Sequence, residues 1–214
     1  MTPYYTDGLV TIYHGDARDI LPTLPRADVV ITDPVWPNAI PTLAGADDPY
    51  GLFAEVMALV PAITSRLVVH LGCDSDPRFL AGVPSSLPFL RACWLEYARP
   101  HYKGRVLYGN DVAYVFGDAP PARPGAQLMP GRFIQTDGAK KPKDHPCPRQ
   151  YQHVKWLVSW FARGMVVDPF MGRGTTLRAA KALGLPAVGI EVDERYCVAA
   201  VRTLEQSILP LGVI

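Results

Sequence analysis

Cysteine is scarce in this 214-residue chain, and Cys73, Cys93, Cys147 and Cys197 are scattered with no CxxC pair among them. That spacing argues against a zinc site, leaves no metal to be expected, and points to a reducing, cytoplasmic compartment. No apolar run approaches the roughly 18 residues of a membrane span. The amino terminus, MTPYYTDG, lacks the basic-then-apolar pattern of a signal peptide. Neither a membrane partner nor export is expected. Charged residues make up 19% and the net charge is +1, so bulk charge by itself implies no polyanion. No internal repeat is present. What remains is an ordinary globular composition, 49% hydrophobic, on a chain long enough for one α/β domain and short for two.

The distribution of charge says more than its total. Residues 99–155 hold ten Lys or Arg against four Asp, a local net of +6 on a chain whose total is +1. A basic segment on a mildly acidic body fits a polyanion-facing surface, and a solvated, lysine-bearing loop fits it equally.

Hydrophobic periodicity predicts strands at Leu9–His14, Asp28–Thr32, Arg66–Leu71, Ala92–Tyr97, Asp111–Phe116, Met165–Val167 and Ala187–Ile190. Helical spacing predicts helices over Tyr50–Ser65, Gln150–Ala162, Thr175–Leu183 and Asp193–Ser207, with a short one capped by Asp16 and running to Leu24. From Gly117 to Pro148 the periodicity is lost and seven prolines mark a long loop or insert. Strands alternating with helices imply an α/β fold, a doubly wound and mostly parallel sheet with helices on both faces. A single domain over 1–214 is expected, with the loop-rich basic insert at about 117–148 as its minimal target-recognition region.

Two turns carry the chemistry. In Val166-Val167-Asp168-Pro169-Phe170-Met171-Gly172-Arg173-Gly174-Thr175-Thr176, a strand, a glycine-bearing turn and a helix start follow one another. Gly172 and Gly174 permit unusual backbone angles and close approach of a ligand, and the first turn of the helix offers free N–H groups. Glu191 ends the next strand, 19 residues after Gly172, where dinucleotide-type folds grip a ribose. An adenosine-bearing cofactor is indicated. The missing third glycine of GxGxxG disfavours NAD, and the absence of GxxxxGK[ST] disfavours ATP. S-adenosyl-L-methionine, which has no pyrophosphate, fits what is left. The second turn, Asp33-Pro34-Val35-Trp36, ends a buried strand where open α/β sheets bind ligands. Alone it reads as an Asp-Pro turn with a packing tryptophan.

Together these blocks resemble the amino-methyltransferases of DNA, in the circularly permuted class whose catalytic motif precedes the cofactor motif. DPVW resembles the family's [DNS]PP[YFW], and DPFMGRGTT resembles its DPFxGxGTT at every fixed position. GIEVDERYCVAA looks like the next block, and Tyr13-His14-Gly15-Asp16 like the amino-terminal element that lies near the cofactor adenine. His145-Pro146-Cys147-Pro148-Arg149 resembles a motif that usually ends in Lys-Pro. The resemblance runs in order from about Leu9 to Leu204 and is weakest over Tyr50–Lys143. Val35 replaces the second proline, and Arg149-Gln150 replaces Lys-Pro.

The resemblance implies a Rossmann-like methyltransferase fold with S-adenosyl-L-methionine held by Asp16, Asp168, Phe170, Gly172, Gly174, Thr175, Thr176, Glu191 and Arg149. It implies catalysis by Asp33, Pro34 and Trp36 on the N6 amine of an adenine flipped out of double-stranded DNA. Contacts to nucleic acid fall to Arg99, Lys103, Arg105, Lys140, Lys141 and Lys143. Cytosine N4, adenosine in RNA and an inactive nucleic-acid-binding partner subunit stay open as alternatives. A homodimer or a second subunit is a further expectation, and the preference for adenine is an association of the aspartate form of the motif.

Overall fold

The computed structural model describes residues 2–122, 124–125, 128–136 and 150–206, apart from the Lys103 side chain. Its helices start where short-range chemistry starts them. Asp16 caps α1 (Ala17–Ile20) by accepting the Arg18 N–H, and a 3-10 turn continues to Thr23. Asp48 caps α2 (Pro49–Ile63) by accepting the Gly51 N–H, with Pro49 in the first turn, where its missing N–H is no loss. Phe53, Val56, Met57, Val60 and Ile63 recur at helical spacing along α2 and are all buried. Each such side chain contributes about 1.5–3 kcal/mol by leaving water.

Among the described residues, nine strands form one sheet: β1 (Tyr5–Thr6), β2 (Val10–His14), β3 (Val29–Thr32), β4 (Arg66–Gly72), β5 (Phe89–Lys103), β6 (Val106–Gly117), β7 (Arg132–Ile134), β8 (Val166–Asp168) and β9 (Ala187–Glu191). Their order is β1-β2-β9-β8-β3-β4-β6-β5-β7. β2, β9, β8, β3 and β4 run parallel, whereas β1 and the β5–β6 hairpin add antiparallel pairs at the two sides. Strand side chains alternate between two cores. Val29, Ile31 and Val68 pack with α3 (Tyr151–Phe161), α4 (Thr175–Lys181) and α5 (Glu194–Gln206) on one face. Val30, Leu67 and Val69 pack with α1 and α2 on the other. The doubly wound, mostly parallel sheet expected from the sequence is the sheet observed.

That winding decides where a ligand goes. β3 and β8 are neighbours. The chain leaves β3 through α2 on one face and β8 through α4 on the opposite face, so the loops diverge and open a crevice between them.

Two stretches differ from the sequence reading. The strands expected at Ala92–Tyr97 and Asp111–Phe116 belong to a longer hairpin that passes straight through Pro100. Register slips between Glu96 and His101, and at such an irregularity a missing backbone N–H is tolerated. The presumed loop after Gly117 contains β7, whose three residues pair in parallel with Trp94, Leu95 and Glu96. Three residues carry no periodicity to read; the unpaired edge of β5 creates the strand. Residues 137–148 of that insert lie outside the described residues.

Candidate active site

A cleft of about 870 Å³ opens at the carboxyl ends of all five parallel strands. Asp16 follows β2, Glu191 ends β9, Phe170 follows β8, Asp33 follows β3 and Cys73 follows β4, and all five line it. The volume lies in the range of small-molecule sites.

On the β8 side the turn is braced from several directions. Gly172 and Gly174 have φ of 51° and 75°, in the left-handed region where a side chain is strained. The Glu191 carboxylate accepts the Gly172 N–H at 3.0 Å and the Asp193 N–H at 2.8 Å, so the acid 19 residues on is coupled directly to the glycine turn. Burial raises its pKa. Asp168 is 2% exposed and accepts from the Thr32 hydroxyl at 2.8 Å and the Phe170 N–H at 3.1 Å. Burial pushes its pKa up to about 6, although hydrogen bonds from Thr176 and Thr32 work against that rise. Asp168 and Thr176 thus brace the turn from inside and tie β8 to β3, while Thr175 opens α4 at the cleft wall. Asp16 is engaged by Arg18, whose guanidinium lies 2.6 Å away and holds the carboxyl below its ordinary range.

On the β3 side, Pro34 is buried and Asp33 and Trp36 are half-buried. The Trp36 indole N–H donates to the Asp33 carboxylate at 2.9 Å. The indole ring lies against Gly72, 3.1 Å from where a Cβ on that residue would stand. Sequence reasoning cast Trp36 only as a stacking surface. The structure adds that it orients the carboxylate, through a hydrogen bond between residues three apart.

A polar cluster in the same cleft wall was missed altogether. His70, Asp111 and His153 are 2%, 3% and 0% exposed. His70 Nε2 is 3.2 Å from Asp111 Oδ2, and His153 Nδ1 is 3.9 Å from that same oxygen. The available signal was a histidine inside the otherwise apolar run RLVVHL. Thr32 was missed too, since a strand-terminal threonine carries no sign of its distant partner. Two of the described cysteines are held as thiols: burial pushes Cys93 up to about 11 and Cys197 up to about 12.

Of the predicted nucleic-acid contacts, Arg99 and Arg105 are exposed at the tip of the β5–β6 hairpin. Because Gly72, the last residue of β4, pairs with Asp111, residues 99–110 extend past the carboxyl edge of the sheet, and His101 and Tyr108 line the cleft mouth. Lys140, Lys141, Lys143 and Arg149 lie outside the described residues, as does the Lys103 side chain. Among the described residues, no helix is long and apolar enough to cross a membrane.

Comparison with known proteins agrees with this construction. Residues 131–202, about a third of the chain, match the family model described as DNA methylase, of the N6/N4 type. The chain is 35% identical over 69 residues to the Type II methyltransferase M.SfiI of Streptomyces fimbriatus, a match covering 31% of this chain and 16% of that protein's length. Its fold is that of solved DNA methyltransferases. The cytosine-N4-specific PvuII DNA methyltransferase superposes with a TM-score of 0.74 at 14% identity, covering 99% of this chain and 90% of that one. M1.HpyAVI, solved as a complex with SAM, gives 0.71 at 19% identity, covering 91% and 98%.

Proposed function

We propose that this protein is an S-adenosylmethionine-dependent DNA methyltransferase that methylates an exocyclic amine, adenine N6 in the first instance, on a base flipped out of double-stranded DNA. The observation that carries the proposal is the meeting of the Asp33 turn and the Gly172 turn in one crevice. Their strands are joined beneath it by the Thr32–Asp168 hydrogen bond.

The residues present fit the cofactor. Gly172 and Gly174 leave the turn without side chains, Glu191 sits beside them as a ribose acceptor, and Phe170 and Asp16 flank the space. Bound there, S-adenosylmethionine supplies a methyl group on an electrophilic sulfonium. The chain's own task is to make a poor nucleophile competent. The lone pair of an aromatic amine is delocalised into its ring. If the Asp33 carboxylate and the Pro34 carbonyl each accept one N–H, the nitrogen shifts towards sp³ geometry and its lone pair becomes directed. Asp33 also stabilises the positive charge that develops there, a preorganised electrostatic effect. The Trp36 N–H keeps the carboxylate turned towards the cleft, and the indole face stacks on the flipped base, worth about 1–3 kcal/mol.

M.SfiI is a Type II methyltransferase and the PvuII enzyme acts on cytosine N4, so the comparisons leave both bases in play. Adenine is favoured by the aspartate form of the motif. With the hairpin tip and the insert at about 117–148 as the stretches left to read sequence, a short or relaxed site, or help from a second subunit, is expected.

The test is methyl transfer from labelled cofactor to DNA and RNA oligomers, followed by mass spectrometry of the released nucleosides. N6-methyldeoxyadenosine is expected. N4-methyldeoxycytidine would move the target base, and product on RNA alone would replace the substrate. Asp33→Ala should cut turnover by about 10³-fold, the scale of losing a central electrostatic contact, with cofactor affinity unchanged. Wild-type turnover in that variant would refute the assignment of Asp33.

A further inference from the structure

The His70–Asp111–His153 cluster serves no step of the chemistry above, and one of its atoms is in an unusual position. His153 Nε2 lies 3.1 Å from the Glu96 carbonyl oxygen. A carbonyl can only accept, so Nε2 carries the proton, and in neutral imidazole Nδ1 is then a bare lone pair. Nδ1 is fully buried and has no hydrogen-bond partner. It points towards Asp111 Oδ2, 3.9 Å away, so a lone pair faces a carboxylate oxygen across a gap. Two electron-rich atoms held together away from water repel, and an unpartnered buried polar atom costs about 1–3 kcal/mol. A cation between them reverses both effects. His70 Nε2 donates to the same oxygen at 3.2 Å; with that hydrogen shifted to Nδ1 as the ion binds, it completes a set of three ligand atoms lying within 4.8 Å of one another.

From this geometry we propose that His70, Asp111 and His153 form a binding site for a divalent transition-metal ion of the zinc class. Two imidazoles and one carboxylate suit such an ion and do not suit magnesium or calcium, which take oxygen ligands. Ligands 2.0–2.1 Å from a tetrahedral zinc stand about 3.3 Å apart. The His70–Asp111 separation already fits, and His153 needs to approach Asp111 by roughly half an ångström. The Glu96 carbonyl supplies what metal-bound histidines ordinarily have, an acceptor for the second ring N–H that fixes the tautomer and the ring plane.

The three ligands come from β4, β6 and α3, so the ion clamps the sheet to the helix that precedes the β8 turn. His70 and Asp111 also line the cleft. The fourth position therefore faces the substrate space and is open to water or to a donor atom of a bound base. The sequence reading expected no metal because it looked for closely spaced cysteines. These ligands are 41 or more residues apart and contain none.

The experiment reads metal binding, so it succeeds or fails independently of methyl transfer. The full chain is stripped with a chelator, desalted and titrated with Co²⁺ while visible d–d absorption is followed, and Zn²⁺ is then added to displace it. Saturation at about one ion per chain is expected, with the intense d–d bands of a low-coordinate site. His153→Gln, Asp111→Asn and His70→Gln should each weaken binding roughly 100-fold or more, the upper end of what even outer-shell changes cost. Zn²⁺ should raise the melting temperature of the wild type and leave that of His153→Gln unmoved. No stoichiometric binding by the wild type overturns the proposal, and so does equal binding by wild type and all three variants. Because the first of these needs only the wild-type protein, a variant that fails to fold does not rescue the idea.

Discussion

The turn after β8 is cross-braced. Glu191 holds the Gly172 N–H, Asp168 holds the Phe170 N–H and the Thr32 hydroxyl, and two left-handed glycines set the path. The turn after β3 runs instead into residues 37–48, a stretch of turns and bends whose residues are mostly exposed. Asp33 is positioned there by an indole from its own turn. A cradle for a small cofactor gains from being formed in advance, because binding then orders nothing further. A carboxylate that must receive a bulky base from outside needs space and movable chain beside it. On the proposed function, the contrast is between a cross-braced half that binds and a less braced half that reacts.

Asp168 offers the strongest way to break this contrast. Its pKa is about 6 in the fold against 3.8 for an unperturbed carboxyl, because burial disfavours the charged form. Between those values the folded state keeps a proton that the unfolded state has released. Stability from this group is therefore greatest below about pH 4 and declines as pH rises to about 6, by on the order of 3 kcal/mol. Urea unfolding of wild type and Asp168→Asn from pH 4 to 7 should show the wild type losing ground to the variant by that amount. A constant difference would mean that the carboxylate is not desolvated in the fold. Glu191 is raised in the same direction and is present in both proteins, so it cancels.

A middle-sized effect is expected at Gly174. Alanine there must adopt a φ near 75°, and its Cβ would stand 3.0 Å from that of Ala200. The strain costs about 1–3 kcal/mol. Thermal melting should record that loss and a cofactor titration a weaker affinity, whereas a variant that binds and melts like wild type would show the cradle to be soft.

The smallest effect sharpens the less braced half. Trp36→Phe keeps an aromatic face and removes the N–H that orients Asp33. A fall in kcat of about tenfold, equivalent to about 1.4 kcal/mol, with cofactor affinity unchanged, is the expected outcome. Trp36→Ala should lose the stacking contribution as well. If the phenylalanine variant turns over normally, the hydrogen bond does not position the carboxylate.

Much of the cross-braced half was legible because its signals are local. Glycines in a strand–turn–helix context, an acid at the end of the next strand and a capping Asp16 each act within a few residues or one βαβ unit, and the doubly wound sheet follows from alternating periodicities. The role of Asp168 was less legible. It was expected against the cofactor, yet its carboxylate is occupied by Thr32, 136 residues away. β7 was invisible because an edge pairing, not its own composition, makes it a strand. The hairpin outran its expected limits because Pro100 sits at a register slip that only the paired strands reveal.

The sequence by itself determined the order of elements, the two turns and the residue types at their tips, since propensity, capping and periodicity are properties of neighbouring residues. The tertiary structure alone decided which distant side chains share an environment. It set Thr32 against Asp168, brought the hairpin tip to the cleft mouth, and buried His70, Asp111 and His153 around a common point. Those meetings depend on strand order and on which face each side chain takes, and neither is encoded in any single stretch of the chain.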